Sequence, residues 1–125
     1  MVDLSRKLPE AELTVMQAVW DCTPPVSRAV LEVRLEKSHP MAMTTLLTLL
    51  SRLVERGFLT VEKHGRSNCY TPTVSKREYL SSQGKRFFRS LCGGNVSVFA
   101  NALCDSGLTK EELAQLRQLL EEGDL

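Results

Sequence analysis

Hydrophobic residues recur at helical spacing over the stretch MTTLLTLLSRLVER, residues 43–56. At about 3.6 residues per turn, one apolar stripe is formed by Leu46, Leu49, Leu50 and Leu53. The opposite side carries threonines, a serine and an arginine where a surface helix usually carries lysine and glutamate. Threonine can bond base edges or contact a thymine methyl group, and arginine can bind guanine or phosphate. The pattern favours a DNA-recognition helix, although this segment alone leaves open an ordinary amphipathic helix with a threonine-rich surface.

Two further helices are predicted before this one. Residues 8–21 have apolar residues at helical spacing, and Trp20 on that stripe is interpreted as a core anchor. Ser27 can cap a second helix, which ends near Pro40. The buried side of this second helix is assigned to Val30, Leu31 and Leu35. Two helices, a short break and a third helix outline a helix-turn-helix.

A two-stranded hairpin is predicted directly after the third helix, over residues 58–74. Two runs of strand-forming residues flank residues 63–68, which are rich in turn formers. Three helices followed by a hairpin is the order of a winged helix. The tip carries Lys63, His64 and Arg66, which would lie over the phosphate backbone of DNA. The alternative is a solvated hairpin whose charges prevent edge-to-edge aggregation; after a helix-turn-helix outline we favour the wing.

The chain after residue 74 is predicted to be helical, so the fold class is mainly α. Capping-box patterns begin helices after Ser75 and Thr109, and a further helix covers roughly residues 96–104. We therefore predict a winged-helix DNA-binding domain over residues 1–74 and a helical dimerisation domain over residues 75–125.

The predicted helical domain is too small to bury enough surface by itself. It either packs on the winged helix or pairs with a second copy, and we favour a homodimer because its apolar side chains exceed what a thin cover needs. The residues assigned to this interface are Phe87, Phe88, Leu91, Phe99, Leu103, Leu113, Leu116 and Leu120. A twofold dimer places two recognition helices about one DNA turn apart, or a small multiple of it, and so predicts a palindromic operator.

Composition adds mainly exclusions. The four cysteines are widely spaced without a C-x-x-C pair, so buried or half-buried thiols are expected, with no metal and no cofactor. The sequence contains no G-x-S-x-G, H-E-x-x-H or phosphate-loop motif, so no catalytic residue is assigned and no enzyme is expected. No apolar run is long enough for a membrane span, and the N-terminus lacks the apolar region of a signal peptide. A cytoplasmic location is expected.

Four segments of the chain resemble the penicillinase repressor family, the BlaI, MecI and CopY group of winged-helix transcriptional regulators. LPEAELTVMQAVWD resembles the first helix of the family, and TLLTLLSRLVERGFLTVEKHGRSNCYTP resembles its recognition helix and wing. KRFFRSLCGGNVSVFANAL resembles the junction between its fourth and fifth helices, and LTKEELAQLRQLLEE resembles its last helix. The resemblance covers nearly the whole chain, and the order and spacing of the four segments make it fairly specific.

The resemblance implies a dimeric repressor on palindromic operators upstream of resistance or stress genes. In the β-lactam branch of the family, a membrane sensor triggers proteolysis of the repressor; the Asn-Phe cleavage bond of the family aligns here with Ala102-Leu103. In the copper branch a C-terminal cysteine cluster binds metal, and residues 112–125 contain no cysteine, so that route is not expected. The family often has Lys and Arg early in the recognition helix, where this chain has Thr44 and Leu47, so a different operator sequence is expected.

The leading hypothesis is a repressor that acts by occlusion, without catalysis. The residues expected to read or approach bases are Thr44, Thr45, Leu47, Thr48 and Arg52. The alternative is a winged helix used as a protein-interaction module without specific DNA binding, which an exposed Leu47 would allow.

Overall fold

The computed structural model describes residues 2–123 and divides into two compact units, one ending at Gln83 and one beginning at Gly84. The fold is mainly α, as predicted. The helices are α1 Glu10–Trp20, α2 Arg28–Glu36, α3 Met43–Glu55, α4 Lys76–Arg86, α5 Val96–Asp105 and α6 Lys110–Glu121. The strands are β1 Val26–Ser27, β2 Leu59–His64 and β3 Ser67–Pro72. A π-helical turn, Phe87–Leu91, follows α4.

The core of the first unit forms around the predicted leucine stripe of α3. Leu46, Leu49, Leu50 and Leu53 are all buried, together with apolar residues of α1, α2 and the sheet. Trp20 is half-buried against this core, and its indole Nε1 donates a hydrogen bond to the Val74 carbonyl at 2.9 Å. Burial of the leucine stripe turns the threonine face of α3 outward, because the two faces lie on opposite sides of one helix.

The second helix begins as predicted but buries less than predicted. Ser27 caps α2 through its Oγ, which accepts a hydrogen bond from the Val30 amide at 3.3 Å. Leu31 and Leu35 are buried, whereas the Val30 side chain is 49% exposed, so its assignment to the buried side was wrong. Leu31 and Leu35 are four residues apart and share one face, and Val30 is turned by about 100° from Leu31 toward solvent.

The predicted hairpin is present, and a third strand joins it. The strand order is β1-β3-β2, with both pairs antiparallel. His64 pairs with Ser67, so the loop contains two residues, Gly65 and Arg66, rather than the broader turn predicted over residues 63–68. Gly65 has φ +68°, which suits the first position of a tight hairpin turn. The hairpin is therefore a regular ladder almost to its tip.

A buried ion pair joins α1 to the end of α3. The Glu12 side chain is 2% exposed, and its two carboxylate oxygens accept hydrogen bonds from Arg56 Nε at 2.5 Å and Nη2 at 3.2 Å. The hydrogen bond to Glu12, and then the charge of Glu12, raise the pKa of the Arg56 guanidinium above its usual value. The pair satisfies the buried carboxylate and fixes the C-terminal end of α3 against α1.

The first turns of α4 belong to the first unit. The predicted capping box is formed, since the Glu78 amide donates to Ser75 Oγ and the Ser75 amide donates to Glu78 Oε1, both at 3.0 Å. Tyr79 is buried, and its hydroxyl accepts a hydrogen bond from the Leu8 amide at 2.9 Å. The structural division after Gln83 thus lies beyond the boundary predicted after residue 74.

The second unit has helices with well-formed caps and almost no buried core. The capping box predicted at Thr109 is formed with Glu112, and Asn95 caps α5 by accepting from the Val98 amide at 3.1 Å. The Phe99 ring packs against the rings of Phe87 and Phe88, with centroids 5.8 and 5.5 Å apart. Among residues 84–123, the one buried residue is Cys92. Cys22 and Cys69, which lie in the first unit, are half-buried, whereas Cys104 is exposed, contrary to the expectation of a covered thiol.

Candidate nucleic-acid interface

The outward face of α3 carries the five residues predicted to approach bases. All five are exposed: Thr44, Thr45, Leu47, Thr48 and Arg52. The Thr48 hydroxyl donates a hydrogen bond to the Thr44 carbonyl at 2.9 Å, so its oxygen can still accept a bond and its methyl group can contact a neighbour. The first turn of α3 contains no acidic residue. The face is therefore a low, weakly polar surface that a polyanion can approach closely.

The wing tip presents three side chains in two different settings. Lys63 and Arg66 line one cleft, and both are exposed. His64 is also exposed, but its Nε2 lies 3.6 Å from Glu62 Oε2, so a protonated imidazole would be paired with that carboxylate. The structure thus brings Lys63 and Arg66 together and leaves His64 beside an acid.

One cleft joins the wing, α3 and the start of α2. It has a volume of about 180 Å³, and its lining is Arg28, Ala29, Leu47, Lys63, Arg66, Ser67, Asn68 and Tyr70. The exposed Leu47 of α3 and the cations of the wing tip therefore border the same space. The exposed face of α3 and the hairpin tip, which were predicted as separate DNA-binding surfaces, therefore border one cleft.

Arg28 is the residue of this interface that sequence reasoning missed. It follows the capping Ser27 directly and lies on α2, which the pattern marked as a supporting helix. Its nearness to the wing results from β1: Ser27 pairs with Cys69 on β3, and so holds the start of α2 beside the hairpin. The sequence did contain one signal, a cation at the first position of a helix. The N-terminal end of a helix is partly positive, so it favours a bound anion and disfavours a basic side chain there.

The residues predicted for dimerisation all lie in the second unit, from the π-helical turn to α6. Phe87, Leu91 and Leu120 are exposed, and the half-buried members are Phe88, Phe99, Leu103, Leu113 and Leu116. Ala102 and Leu103, which align with the cleavage bond of the family, are half-buried within α5.

Within residues 2–123, no three His, Cys, Asp or Glu side chains are gathered in a way that could hold a metal ion. No helix in the described part of the chain has both the length and the apolar character needed to cross a bilayer.

The chain is similar to known proteins over nearly its whole length. The model of the penicillinase repressor family matches residues 8–122. A penicillinase repressor of Bacillus licheniformis is 31% identical over an alignment of 121 residues, which covers 94% of this chain and 94% of that protein. An uncharacterized 16.5 kDa protein in the ptsI 3′ region of Latilactobacillus sakei is 33% identical, over 96% of this chain and 82% of that protein.

Two solved structures resemble the N-terminal part of the chain. The solution structure of the DNA-binding domain of the repressor BlaI matches with a TM-score of 0.54 and 29% identity, covering 63% of this chain and 94% of that one. The monomeric form of Bacillus licheniformis BlaI in complex with the blaP half-operator matches with a TM-score of 0.51 at the same identity and coverage.

Proposed function

The chain belongs to the penicillinase repressor family, and we propose on that basis that it is a DNA-binding transcriptional repressor acting by occlusion. The observation that carries the proposal is the continuous surface formed by the threonine face of α3 and the cationic wing tip around Leu47. A structural neighbour at 29% identity, BlaI, is in complex with a half-operator, which supports DNA binding by this chain.

The two parts of the surface have different tasks. Thr44, Thr45, Leu47, Thr48 and Arg52 enter the major groove and contact base edges or methyl groups, which sets the sequence preference. Lys63 and Arg66 bind phosphates, and each contact releases condensed counterions, which gives affinity without sequence preference. His64 lies at the same tip and adds a further phosphate contact through a ring N–H.

Replacing Arg66 by alanine tests the wing. We expect weaker binding to operator and non-operator DNA alike, and a plot of log K against log salt that is less steep by about 0.9. Arg117→Ala on α6, which removes an exposed arginine outside this surface, is the control and should leave the slope unchanged. An unchanged slope in the double variant Lys63→Ala, Arg66→Ala would disprove the wing assignment. If the wild-type chain gives no specific gel shift at low salt with the DNA upstream of its own gene, the protein-interaction module is the better function.

We propose further that the second unit forms a homodimer, so that the operator is palindromic. The support is its exposed apolar surface: Leu91 is 76% exposed, and Leu120 is also exposed. Residues 84–123 bury little of their own surface, since Cys92 is the one buried residue among them. A fold with so thin a core gains stability when a second copy covers that surface.

Leu91→Lys tests the dimer. We expect sedimentation equilibrium to give a smaller mass and operator binding to lose its cooperativity, since a buried charge opposes association. Val33→Lys, at a valine of α2 that is 63% exposed, is the matched control and should leave the mass unchanged. A wild-type chain that sediments as a folded protomer at all concentrations would overturn the proposal.

Release from DNA is proposed to follow proteolysis in α5, triggered by a membrane sensor as in the β-lactam branch of the family. The bond between Ala102 and Leu103 lies within a helix, so α5 must open locally before a protease can bind it. Immunoblots of host cells exposed to a β-lactam should show a fragment ending near Ala102. A full-length protein that leaves the operator under the same treatment would overturn this route.

A further inference from the structure

Three cations from two separate elements line the cleft beside Leu47. Lys63 and Arg66 come from the hairpin, and Arg28 comes from the start of α2. No carboxylate of residues 2–123 lines this cleft, whereas Ser67 and Asn68 add neutral side chains that can donate hydrogen bonds. Like charges held together in this way repel one another, so the group that best fits the cleft is an anion with several acceptor oxygens.

Arg28 already has a partner outside the cleft. Its Nη1 donates a hydrogen bond to Glu32 Oε1 at 2.5 Å, four residues along α2. Glu32 does not line the cleft; it lines the neighbouring groove formed with Met43 and Leu46 at the start of α3. Arg28 thus borders the cationic cleft while its guanidinium is paired with a carboxylate of its own helix. Both side chains are 35% exposed, so water and ligands can reach them.

We propose that Arg28 is a third phosphate-binding residue of this interface, and that Glu32 competes with the DNA phosphate for it. This inference rests on the proposed function. A phosphate offers the planar guanidinium two acceptor oxygens and binds it in the same fork geometry as a carboxylate. When DNA binds, the backbone phosphate replaces Glu32 as the partner of Arg28. Glu32 therefore lowers the affinity of the protein for all DNA sequences, operator and non-operator alike.

Arg28→Gln tests the first half of the proposal. This change keeps most of the side-chain length and removes the charge. We expect the salt slope to fall by about 0.9, which corresponds to roughly eightfold weaker binding at 0.1 M salt when affinities are matched at 1 M. Arg34→Gln is the matched control on the same helix. Arg34 also has an acidic partner, with its Nη2 3.8 Å from Asp21 Oδ2, but it lines a different groove. An unchanged slope and affinity in Arg28→Gln would overturn the proposal.

Glu32→Gln tests the competition. We expect about twofold tighter binding, on the scale of an exposed i, i+4 ion pair, to operator and non-operator DNA alike. Asp21→Asn, which removes the acidic partner of Arg34, should not change affinity. In the double variant Arg28→Gln, Glu32→Gln the gain should vanish, because Glu32 acts through Arg28.

The double variant separates competition from simple repulsion. If Glu32→Gln tightens binding equally in the wild-type and Arg28→Gln backgrounds, Glu32 repels DNA directly and the competition is disproved. Urea unfolding of each variant identifies any loss of fold, and Arg28→Lys, which keeps the charge, should then retain the wild-type salt slope. If wild type itself binds no DNA, the proposed function fails before this inference is reached.

Discussion

Replacing Arg56 by methionine is expected to destabilise the first unit much more than replacing its partner Glu12 by glutamine. Glu12 is 2% exposed at its side chain, whereas Arg56 is 46% exposed. Removing the arginine leaves a charged carboxylate without a partner in the core. Removing the carboxylate charge leaves an arginine that can turn to solvent.

The magnitude follows from the geometry. Breaking a buried ion pair from the arginine side costs roughly 3–5 kcal/mol, and the partial exposure of Arg56 allows water to reach Glu12, so we take the lower end, about 3 kcal/mol. The Glu12→Gln change costs about 1 kcal/mol, the size of an ordinary hydrogen bond. In the double variant the carboxylate charge is absent, so it should be about 1–2 kcal/mol more stable than Arg56→Met alone.

Urea unfolding followed by fluorescence provides the assay. The chain contains one tryptophan, Trp20, which packs against the core of the first unit, so its emission reports on that unit. A loss of about 3 kcal/mol lowers the midpoint by roughly 1–2 M urea with an unchanged m value. Arg56→Lys keeps the charge but loses the fork geometry, and should fall between wild type and Arg56→Met. Equal losses for Arg56→Met and Glu12→Gln would refute the reasoning, since the asymmetry depends on Glu12 alone being buried.

Three further predictions concern a cap, a turn and an aromatic cluster. Hydrogen bonds from the Ser75 amide and then its hydroxyl hold the pKa of Glu78 below its usual 4.5. This stabilisation is present above the unfolded pKa and is lost as pH falls through the lower, folded pKa. The midpoint difference between wild type and Glu78→Gln should therefore shrink as the pH falls below 4.5. Gly65→Ala should lower the free energy of unfolding in urea by about 1–2 kcal/mol, because its φ of +68° disfavours a side chain. An added Cβ would meet no atom within 4 Å, so the cost comes from the backbone conformation. No loss would show that the turn changes shape. Phe99→Ala should lower thermal stability by about 2 kcal/mol, because Phe99 is half-buried and packs against two rings; an unchanged calorimetric transition of the second unit would contradict it.

Features with a local cause could be predicted from the sequence. The capping boxes at Ser75 and Thr109 need only residues three apart, and the leucine stripe of α3 needs only one helical period. The outward position of Thr44 and its neighbours follows from the same period. Which of these residues contact bases stays a prediction.

Features that depend on distant partners could not be predicted. β1 has two residues, too few for an alternating pattern, and it forms because Val26 pairs with Tyr70 far along the chain. Arg28 joins the wing cleft through that pairing, and its position at the start of α2 does not by itself place it beside the hairpin. The exposure of Val30 likewise depends on how α2 packs against the core rather than on its spacing alone.

The two-residue strand β1 couples the start of α2 rigidly to the base of the hairpin. Ser27 pairs with Cys69 and also caps α2, so neither part can slide without breaking hydrogen bonds of the other. The hairpin can still change length at its far end. Adding two residues to each strand moves the tip outward by roughly 6.6–6.8 Å and keeps every side chain on the same face of the hairpin. The length of the hairpin can therefore evolve at its tip, independently of α3.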